Sequence, residues 1–432
     1  MRILVTLGLT ALLACGGRPA PEVRRELASP DAAAPEVELV ESVPVETLLD
    51  HAELRDAHEV WPEMIGAARS TLELAQFYLS NAPGSRLEPV VAAIEAALGR
   101  GVRVRVLSER KFVAVYPDTL ARLARAGAEV RAFDSSARGG GILHAKIFVV
   151  DGREAFLGSQ NFDWRALEHI YELGVRVRVP AIVHGLQAIF EEDWARSAPA
   201  TDGGAATGQG AAAGSSGETA ELERASHGAV AASQPGAVAG SRPAYLVASP
   251  PSALPAGIAW DLPELIALLD GAARSVRVQL LTYRAQAHGA AWDELEAPLW
   301  RAAERGVRVE LLLADWSKRA DTLAGLQRLV ARADARRLPL EVRLITIPPW
   351  SGGFLPYARV SHAKLLLVDG ARAWVGTSNW ERDYFYQSRN VGVVLEDARL
   401  AAQLERFFLS AWQAPYAERL QSTGAYEAPR IQ

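Results

Sequence analysis

Cysteine occurs once in this 432-residue chain, as Cys15, and that scarcity excludes an intramolecular disulfide and any cage of cysteine thiolates around a metal. Charge of one sign is also missing. Lys and Arg total 46 against 51 Asp and Glu, a formal net charge of −5. No overall field therefore draws the chain toward nucleic acid or anionic lipid, and a polyanionic substrate has to be held by a local patch. The apolar run near the N-terminus, Ile3 to Leu13, is eleven residues long, well short of the roughly 20 that span a bilayer. What is present is a globular balance of 49% hydrophobic and 22% charged residues. The length predicts about two domains with connecting material.

Arg2, the run Ile3 to Leu13 and the string Leu12-Leu13-Ala14-Cys15-Gly16 read as a secretory signal over residues 1–14 that ends in a lipoprotein cleavage box. Cleavage before Cys15 leaves a lipid-bearing N-terminal cysteine. The expected location is therefore the bacterial cell envelope outside the cytoplasm, with the lipid anchor as the contact to the membrane. Gly16 is compatible with an outer membrane. Residues 15–38 are rich in Ala, Pro and Glu without periodicity, which predicts a flexible tether.

The rest of the chain is a repeat. Gly66-Ala67-Ala68-Arg69-Ser70 recurs as Gly271-Ala272-Ala273-Arg274-Ser275, and Gly101-Val102-Arg103-Val104 as Gly306-Val307-Arg308-Val309, both 205 residues on. Farther along, His144-Ala145-Lys146 recurs as His362-Ala363-Lys364, Phe190 as Phe408 and Trp194 as Trp412, now 218 residues on, so the second copy holds a 13-residue insertion. Between the copies, residues 197–243 are dominated by Ala, Gly, Ser and Thr and read as a linker. Lobes are expected over 39–196 and 244–420, with a tail over 421–432. In each, strand-length apolar runs such as Ile147 to Val150 and Leu365 to Val368 alternate with helical patterns such as Ala181 to Trp194. This predicts an α/β fold of two similar lobes packed face to face.

Both copies carry the same chemistry at the same spacing. The first has His144, Lys146, Asp151 and Gly158-Ser159-Gln160-Asn161; the second has His362, Lys364, Asp369 and Gly376-Thr377-Ser378-Asn379. A phosphodiester needs a nucleophile, a proton donor for the leaving oxygen, and donors for the non-bridging oxygens. The two His can supply the first two roles, while Lys146, Lys364, Asn161 and Asn379, with hydroxyls of Ser159 and Thr377, can bind phosphate. One imidazole cannot easily act as both nucleophile and acid in one step, so the lobes are expected to share one site. Asp151 and Asp369 read as structural acceptors at strand-to-turn junctions. Glu172 follows His144 by 28 residues, whereas Asn390 holds that place after His362. A carboxylate on one ring nitrogen makes the other more nucleophilic, which predicts Glu172 beside His144. His144 is then the nucleophile, and His362 the acid and later the base. Trp164, Trp380, Tyr384, Phe385 and Tyr386 follow the Asn residues and could stack bases, although core or rim packing is the expected role.

This duplicated pattern resembles the phospholipase D superfamily. The strings Gly158-Ser159-Gln160-Asn161-Phe162-Asp163-Trp164-Arg165, Tyr171-Glu172-Leu173-Gly174-Val175, Pro356-Tyr357-Ala358-Arg359-Val360 and Gly376-Thr377-Ser378-Asn379-Trp380 are similar to the animal lysosomal and poxvirus envelope branches. The resemblance implies two α/β/α sandwich lobes related by a pseudo-twofold axis, one site at their junction, a covalent phosphohistidine, and neither cofactor nor metal. It also implies His144 as nucleophile, His362 as acid, and Glu172 as the orienting carboxylate. The lysosomal branch implies 5′ exonuclease action on single-stranded DNA and RNA. A phospholipid phosphodiesterase or transphosphatidylase at the envelope is the second expectation, and a non-catalytic envelope binding protein the third. The chain departs from the lysosomal branch in lacking its disulfide cysteines and transmembrane anchor.

Overall fold

The computed structural model describes residues 35–135, 140–200 and 243–432. The signal over 1–14, Cys15, most of the tether and nearly all of the linker lie outside the described residues. Among the described residues, no helix is long and apolar enough to cross a membrane.

Two nine-stranded sheets carry the fold. The first lobe contributes β1 (Val37–Ser42), β2 (Arg55–Asp56), β3 (Thr71–Gln76), β4 (Arg103–Glu109), β5 (Glu129–Phe133), β6 (Ile147–Val150), β7 (Glu154–Gly158), β8 (Glu172–Val177) and β9 (Ala198–Pro199). The second contributes β10 (Ala244–Ser249), β11 (Ala259–Trp260), β12 (Ser275–Leu280), β13 (Arg308–Ala314), β14 (Leu340–Ile345), β15 (Leu365–Val368), β16 (Arg372–Gly376), β17 (Asn390–Leu395) and β18 (Ala417–Arg419). Their spatial orders are β2-β1-β8-β7-β6-β3-β4-β5-β9 and β11-β10-β17-β16-β15-β12-β13-β14-β18. Adding nine to each label of the first order produces the second, so the repeat in the sequence is a repeat of topology.

Both sheets are covered on both faces, which is why their central strands are apolar without interruption. Along β6, Ile147 and Val149 join one apolar cluster while Phe148 and Val150 join another; along β15, Leu365 and Leu367 separate from Leu366 and Val368 in the same way. The outer face of the first sheet is covered by α1 (Ala57–Ala67), α2 (Glu88–Gly99) and α3 (Pro117–Arg125). Between the two sheets runs one shared core, to which α4 (Pro180–Ala195) contributes. Helices α5 (Asp261–Asp270), α6 (Glu296–Glu304) and α7 (Ala320–Arg336) cover the outer face of the second sheet, and α8 (Ala398–Gln413) joins α4 in the shared core. Helix α4 starts at Pro180, suited to a first helical turn, and buries Ile182, Val183, Leu186, Ile189, Phe190 and Trp194, the stripe that its period dictates.

Two boundaries differ from expectation. The tether ends earlier than residue 38, because Val37 and Leu39 point into the shared core and Val37 pairs with Val177 across the ladder. The linker starts later than residue 197, because Ala198 and Pro199 pair with Ala132 and Arg131. The tail over 421–432 is anchored near its end: Ile431 is buried against Ile170 and Val360, and the Tyr357 N–H donates to its carbonyl at 2.9 Å.

The repeat preserves close packing as well as topology. A Cβ on Gly174 in β8 would run into the ring of Phe156, and one on Gly392 in β17 would run into the ring of Trp374, which has no exposed surface. Gly392→Ala is therefore expected to destabilise the protein by about 1–3 kcal/mol through overpacking, read as a lower urea midpoint at unchanged slope.

Candidate active site

The lobes meet through two short parallel bridges, Leu143 with Arg389 and Tyr171 with Ser361. Each joins the segment before a motif histidine to the segment before the other lobe's eighth strand. The His144 N–H donates to the Arg389 carbonyl at 2.9 Å, and the His362 N–H to the Tyr171 carbonyl at 2.8 Å. Both histidines are thus pinned by backbone to the opposite lobe. Ala145 and Ala363, between His and Lys of each motif, point into the shared core. The motifs themselves lie just ahead of β6 and β15 rather than on them.

Glu172 does not pair with His144, as the 28-residue spacing predicts. The His362 Nδ1 bonds Glu172 Oε2 at 2.8 Å, and the His144 Nδ1 bonds Asn390 Oδ1 at 2.9 Å. The exchange follows from the bridges. Glu172 opens β8 directly after Tyr171, which is stitched to Ser361 beside His362, and Asn390 opens β17 directly after Arg389, which is stitched to Leu143 beside His144. Each ring is oriented in trans.

The tautomer of His144 follows from its partner. Asn390 Nδ2 donates to the Tyr384 carbonyl at 2.8 Å, so its Oδ1 faces His144 and accepts the ring's Nδ1–H. This leaves Nε2 as the atom with a lone pair. Ser159 and Thr377 are likewise placed differently from expectation. Ser159 Oγ donates to Glu172 Oε2 at 2.5 Å, and Thr377 Oγ1 to Asn390 Oδ1 at 2.8 Å. Both hydroxyls are buried and also accept from β8 or β17 backbone, Leu173 N–H at 3.0 Å and Val391 N–H at 3.1 Å. They hold the ring partners and do not line the cleft as phosphate donors.

Lys146 Nζ donates to the His144 carbonyl at 2.9 Å and Lys364 Nζ to the His362 carbonyl at 2.7 Å, so each ammonium is folded back over its own motif. Asn379 Nδ2 donates to Tyr384 Oη at 3.2 Å. The side-chain oxygens of Asn161 and Asn379 are buried without a hydrogen-bond partner, a cost that a polar group entering the cleft relieves. The site is well enclosed: His144 has no exposed surface, His362 is 5% exposed and Asn161 7%. The ring of His144 is held edge-on against Tyr384 at 4.9 Å and Phe77 at 5.3 Å. Trp380, Tyr384 and Phe385 are fully buried, and pack in the core of the second lobe.

Asp151 accepts from the N–H groups of Arg69, Ser70 and Thr71 at 2.7–2.9 Å, and Asp369 from Ala273, Arg274 and Ser275 at the same distances. Burial alone would raise both carboxyls, but the three backbone donors outweigh it and lower them. Each Asp sits at positive φ, 52° and 57°, followed by Gly152 or Gly370 at 63°. This is the Asp-Gly hairpin turn whose twist matches the strands.

Two buried carboxyls next to the site were not legible as members. Glu109, at the end of β4, accepts the Leu143 N–H at 2.7 Å, one residue before His144, and burial pushes it up to about 7. Asp261 accepts from Ser378 Oγ at 3.1 Å, one residue before Asn379, and burial pushes it up to about 7 although Ser378 and Ser249 donate to it. The recurrence of Asp56 as Asp261, 205 residues on, was the signal available. The folded protein keeps a proton on Asp261 that the unfolded chain releases near 3.8. Stability therefore falls as pH rises from about 4 to about 7, by at most about 1.4 kcal/mol per pH unit for this one proton. Asp261→Asn is expected to flatten that slope in urea melts taken across the window.

A cavity of about 430 Å³ opens beside the site in the second lobe, lined among others by Tyr283, Trp300, Gly325 and Glu381; neither histidine lines it. Among the described residues no three His, Cys, Asp or Glu side chains stand together as a cation-binding set.

Comparison with known proteins agrees with this geometry. A family model described as cardiolipin synthase, PLD-like domain, matches residues 62–194 and 265–412, more than half of the chain. The chain is 30% identical over 425 residues to the 5′-3′ exonuclease PLD3 of Bos taurus, covering 89% of this chain and 81% of that protein. It is 27% identical over 420 residues to the virion nicking-joining enzyme of Vaccinia virus (strain Western Reserve), covering 91% of each. The fold superposes on the crystal structure of phosphatidylserine synthase from Haemophilus influenzae with a TM-score of 0.60 at 13% identity, covering 86% of this chain and 87% of that one.

Proposed function

The chain belongs to the phospholipase D-like family and is a phosphoric diester hydrolase; on that premise we propose that it cleaves single-stranded nucleic acid from an end through a covalent phosphohistidine. The observation that carries the chemistry is the pair of buried histidines, one from each lobe, each oriented by a side chain of the other. The substrate reading draws on the exonuclease and the nicking-joining enzyme to which the chain is similar. Enclosure supports it as well, since a site this shielded takes a flexible strand or its terminus more readily than a rigid duplex.

The unequal ring partners divide the labour. Glu172, a carboxylate, stabilises a charged His362 ring and so suits it to carry a proton on Nε2; Asn390, a neutral amide, leaves His144 with a lone pair on Nε2. The His144 Nε2–P bond forms as the P–O bond to the leaving group breaks, and His362 gives its Nε2 proton to the leaving oxygen. Water then attacks phosphorus, His362 takes back a proton, and the P–N bond breaks to release a phosphomonoester. Lys146, Lys364, Asn161 and Asn379 hold the non-bridging oxygens throughout. The carboxylate expected to activate His144 orients His362 instead, so on this reading His144 is the nucleophile on the strength of its Nε2 lone pair alone.

The test is cleavage of end-labelled single-stranded DNA and RNA by the purified protein, with release of mononucleotides from one end as the expected result. The matching family description names a lipid enzyme, so phospholipid vesicles form the second arm. Turnover of vesicles with none of either strand would replace the nuclease reading by the phospholipid one.

A further inference from the structure

The cavity in the second lobe lies where the first copy holds an arginine. Helix α3 runs Asp118-Thr119-Leu120-Ala121-Arg122-Leu123, and α7 runs Asp321-Thr322-Leu323-Ala324-Gly325-Leu326. In the first lobe Arg122 bonds Glu88, the first residue of α2, at 2.8 Å, and Glu95 at 2.8 Å through two nitrogens. Glu296 is likewise the first residue of α6. With Gly325 in place of the arginine, Glu296 takes donors from Tyr283 Oη at 2.9 Å and Trp300 Nε1 at 3.2 Å, and the space beside it is open. A Cβ on Gly325 would meet nothing nearer than Arg328 Nη2 at 3.8 Å.

The lining has a definite polarity. Several of its charges are matched to each other: Arg284 pairs with Asp321 at 3.1 Å and His288 with Asp383 at 2.9 Å. That leaves the Glu296 carboxylate inside, where the first lobe places a guanidinium, and the exposed guanidiniums of Arg328 and Arg332 at the mouth, the latter 4.2 Å above the Trp300 ring. A ligand that fits puts an N–H-bearing group inward and a phosphate outward. The volume lies within the roughly 300–1,000 Å³ of pockets that hold whole small molecules, more than an amino-alcohol headgroup fills. The cavity also adjoins the chemistry: Glu381 lines it, and the Glu381 N–H donates to the Asn379 carbonyl at 3.0 Å.

We infer that this cavity is a nucleotide subsite, which takes the base next to the scissile phosphodiester with its amino edge on Glu296 and the adjoining phosphate on Arg328 and Arg332. The inference rests on the single-stranded nucleic acid reading and assigns one lobe as the strand-holding side of an otherwise duplicated molecule.

Gly325→Arg refills the space as the first lobe does. The expected result is a KM for a single-stranded oligonucleotide raised at least about 10-fold, with kcat/KM for the small diester bis(p-nitrophenyl) phosphate unchanged. Helix propensity favours arginine over glycine, so the melting temperature should hold or rise. Should this variant melt early, Glu296→Gln and the Arg328→Ala/Arg332→Ala pair carry the test; the pair should also flatten the salt dependence of oligonucleotide KM. A wild-type protein active on oligonucleotides whose KM none of these variants changes overturns the subsite alone. A wild type that turns over the small diester and no oligonucleotide overturns the nucleic-acid reading beneath it. Slower headgroup release from phosphatidylethanolamine vesicles by Gly325→Arg, with oligonucleotide kinetics untouched, overturns the nucleotide assignment.

Discussion

His362→Ala is expected to accumulate a covalent adduct with the substrate phosphoryl group, while His144→Ala forms none, and each loses at least about 10³-fold in turnover. The asymmetry comes from the partners. An imidazole donating Nδ1–H to the amide oxygen of Asn390 presents a lone pair, whereas one donating to the Glu172 carboxylate holds its second proton. In the proposed mechanism, removing His362 takes away the proton for the leaving group and the base for water, so a substrate with a good leaving group such as p-nitrophenolate should still load His144 and then stall. Intact-mass measurement under alkaline quench distinguishes the two variants. An adduct on the His144→Ala protein would reverse the roles. Glu172→Gln is the milder companion: the amide still orients the His362 ring but no longer supports its charge, so kcat should fall by less than in His362→Ala.

Asp193→Ala is expected to cost about 3–5 kcal/mol, because it strands a charge in the shared core. Arg389 Nε and Nη2 reach the two Asp193 oxygens at 2.8 and 3.0 Å, and each side chain is only 1% exposed. Asp193 belongs to α4 of the first lobe, and Arg389 precedes β17 of the second, so this pair ties the lobes together. Arg389 Nη1 also donates to the Ser249 carbonyl at 3.1 Å. The double variant Asp193→Ala/Arg389→Met should recover much of the loss, since an apolar side chain leaves no buried charge unpaired. Urea melts of the two singles and the double decide it; equal stability of single and double would show that the ion pair is not what the core depends on. Activity should fall in the singles too, because the Arg389 carbonyl holds the His144 N–H.

The layered α/β architecture was legible in the sequence for a local reason. Strands such as Ile147–Val150 and Leu365–Val368 announce themselves because burial on both faces forces an unbroken apolar run, and α4 because its buried stripe keeps helical period. The common strand order followed from matched segments at nearly constant offset. What spacing could not reveal was who meets whom across the lobe junction. Counting 28 residues from His144 led to Glu172, yet the junction bridges hand that carboxylate to His362, a contact 190 residues apart in the chain. Ser159 and Thr377 misled in the same way. Their place after glycine suggested the substrate, while their hydroxyls are turned back to the ring partners. Glu109 escaped because a lone buried carboxyl leaves no periodic trace, and Asp261 because its recurrence at the repeat offset carries no chemistry of its own.

The crossed partnership of the rings makes the activity indivisible. Either half expressed alone would present an imidazole with nothing to fix its tautomer. Two copies of residues 35–200 joined as a homodimer would instead give each His144 a Glu172 from its mate, a site with two identical rings and no built-in division between attack and protonation. The single chain breaks that tie by holding the neutral Asn390 where the other lobe holds Glu172, so its two rings differ by one negative charge.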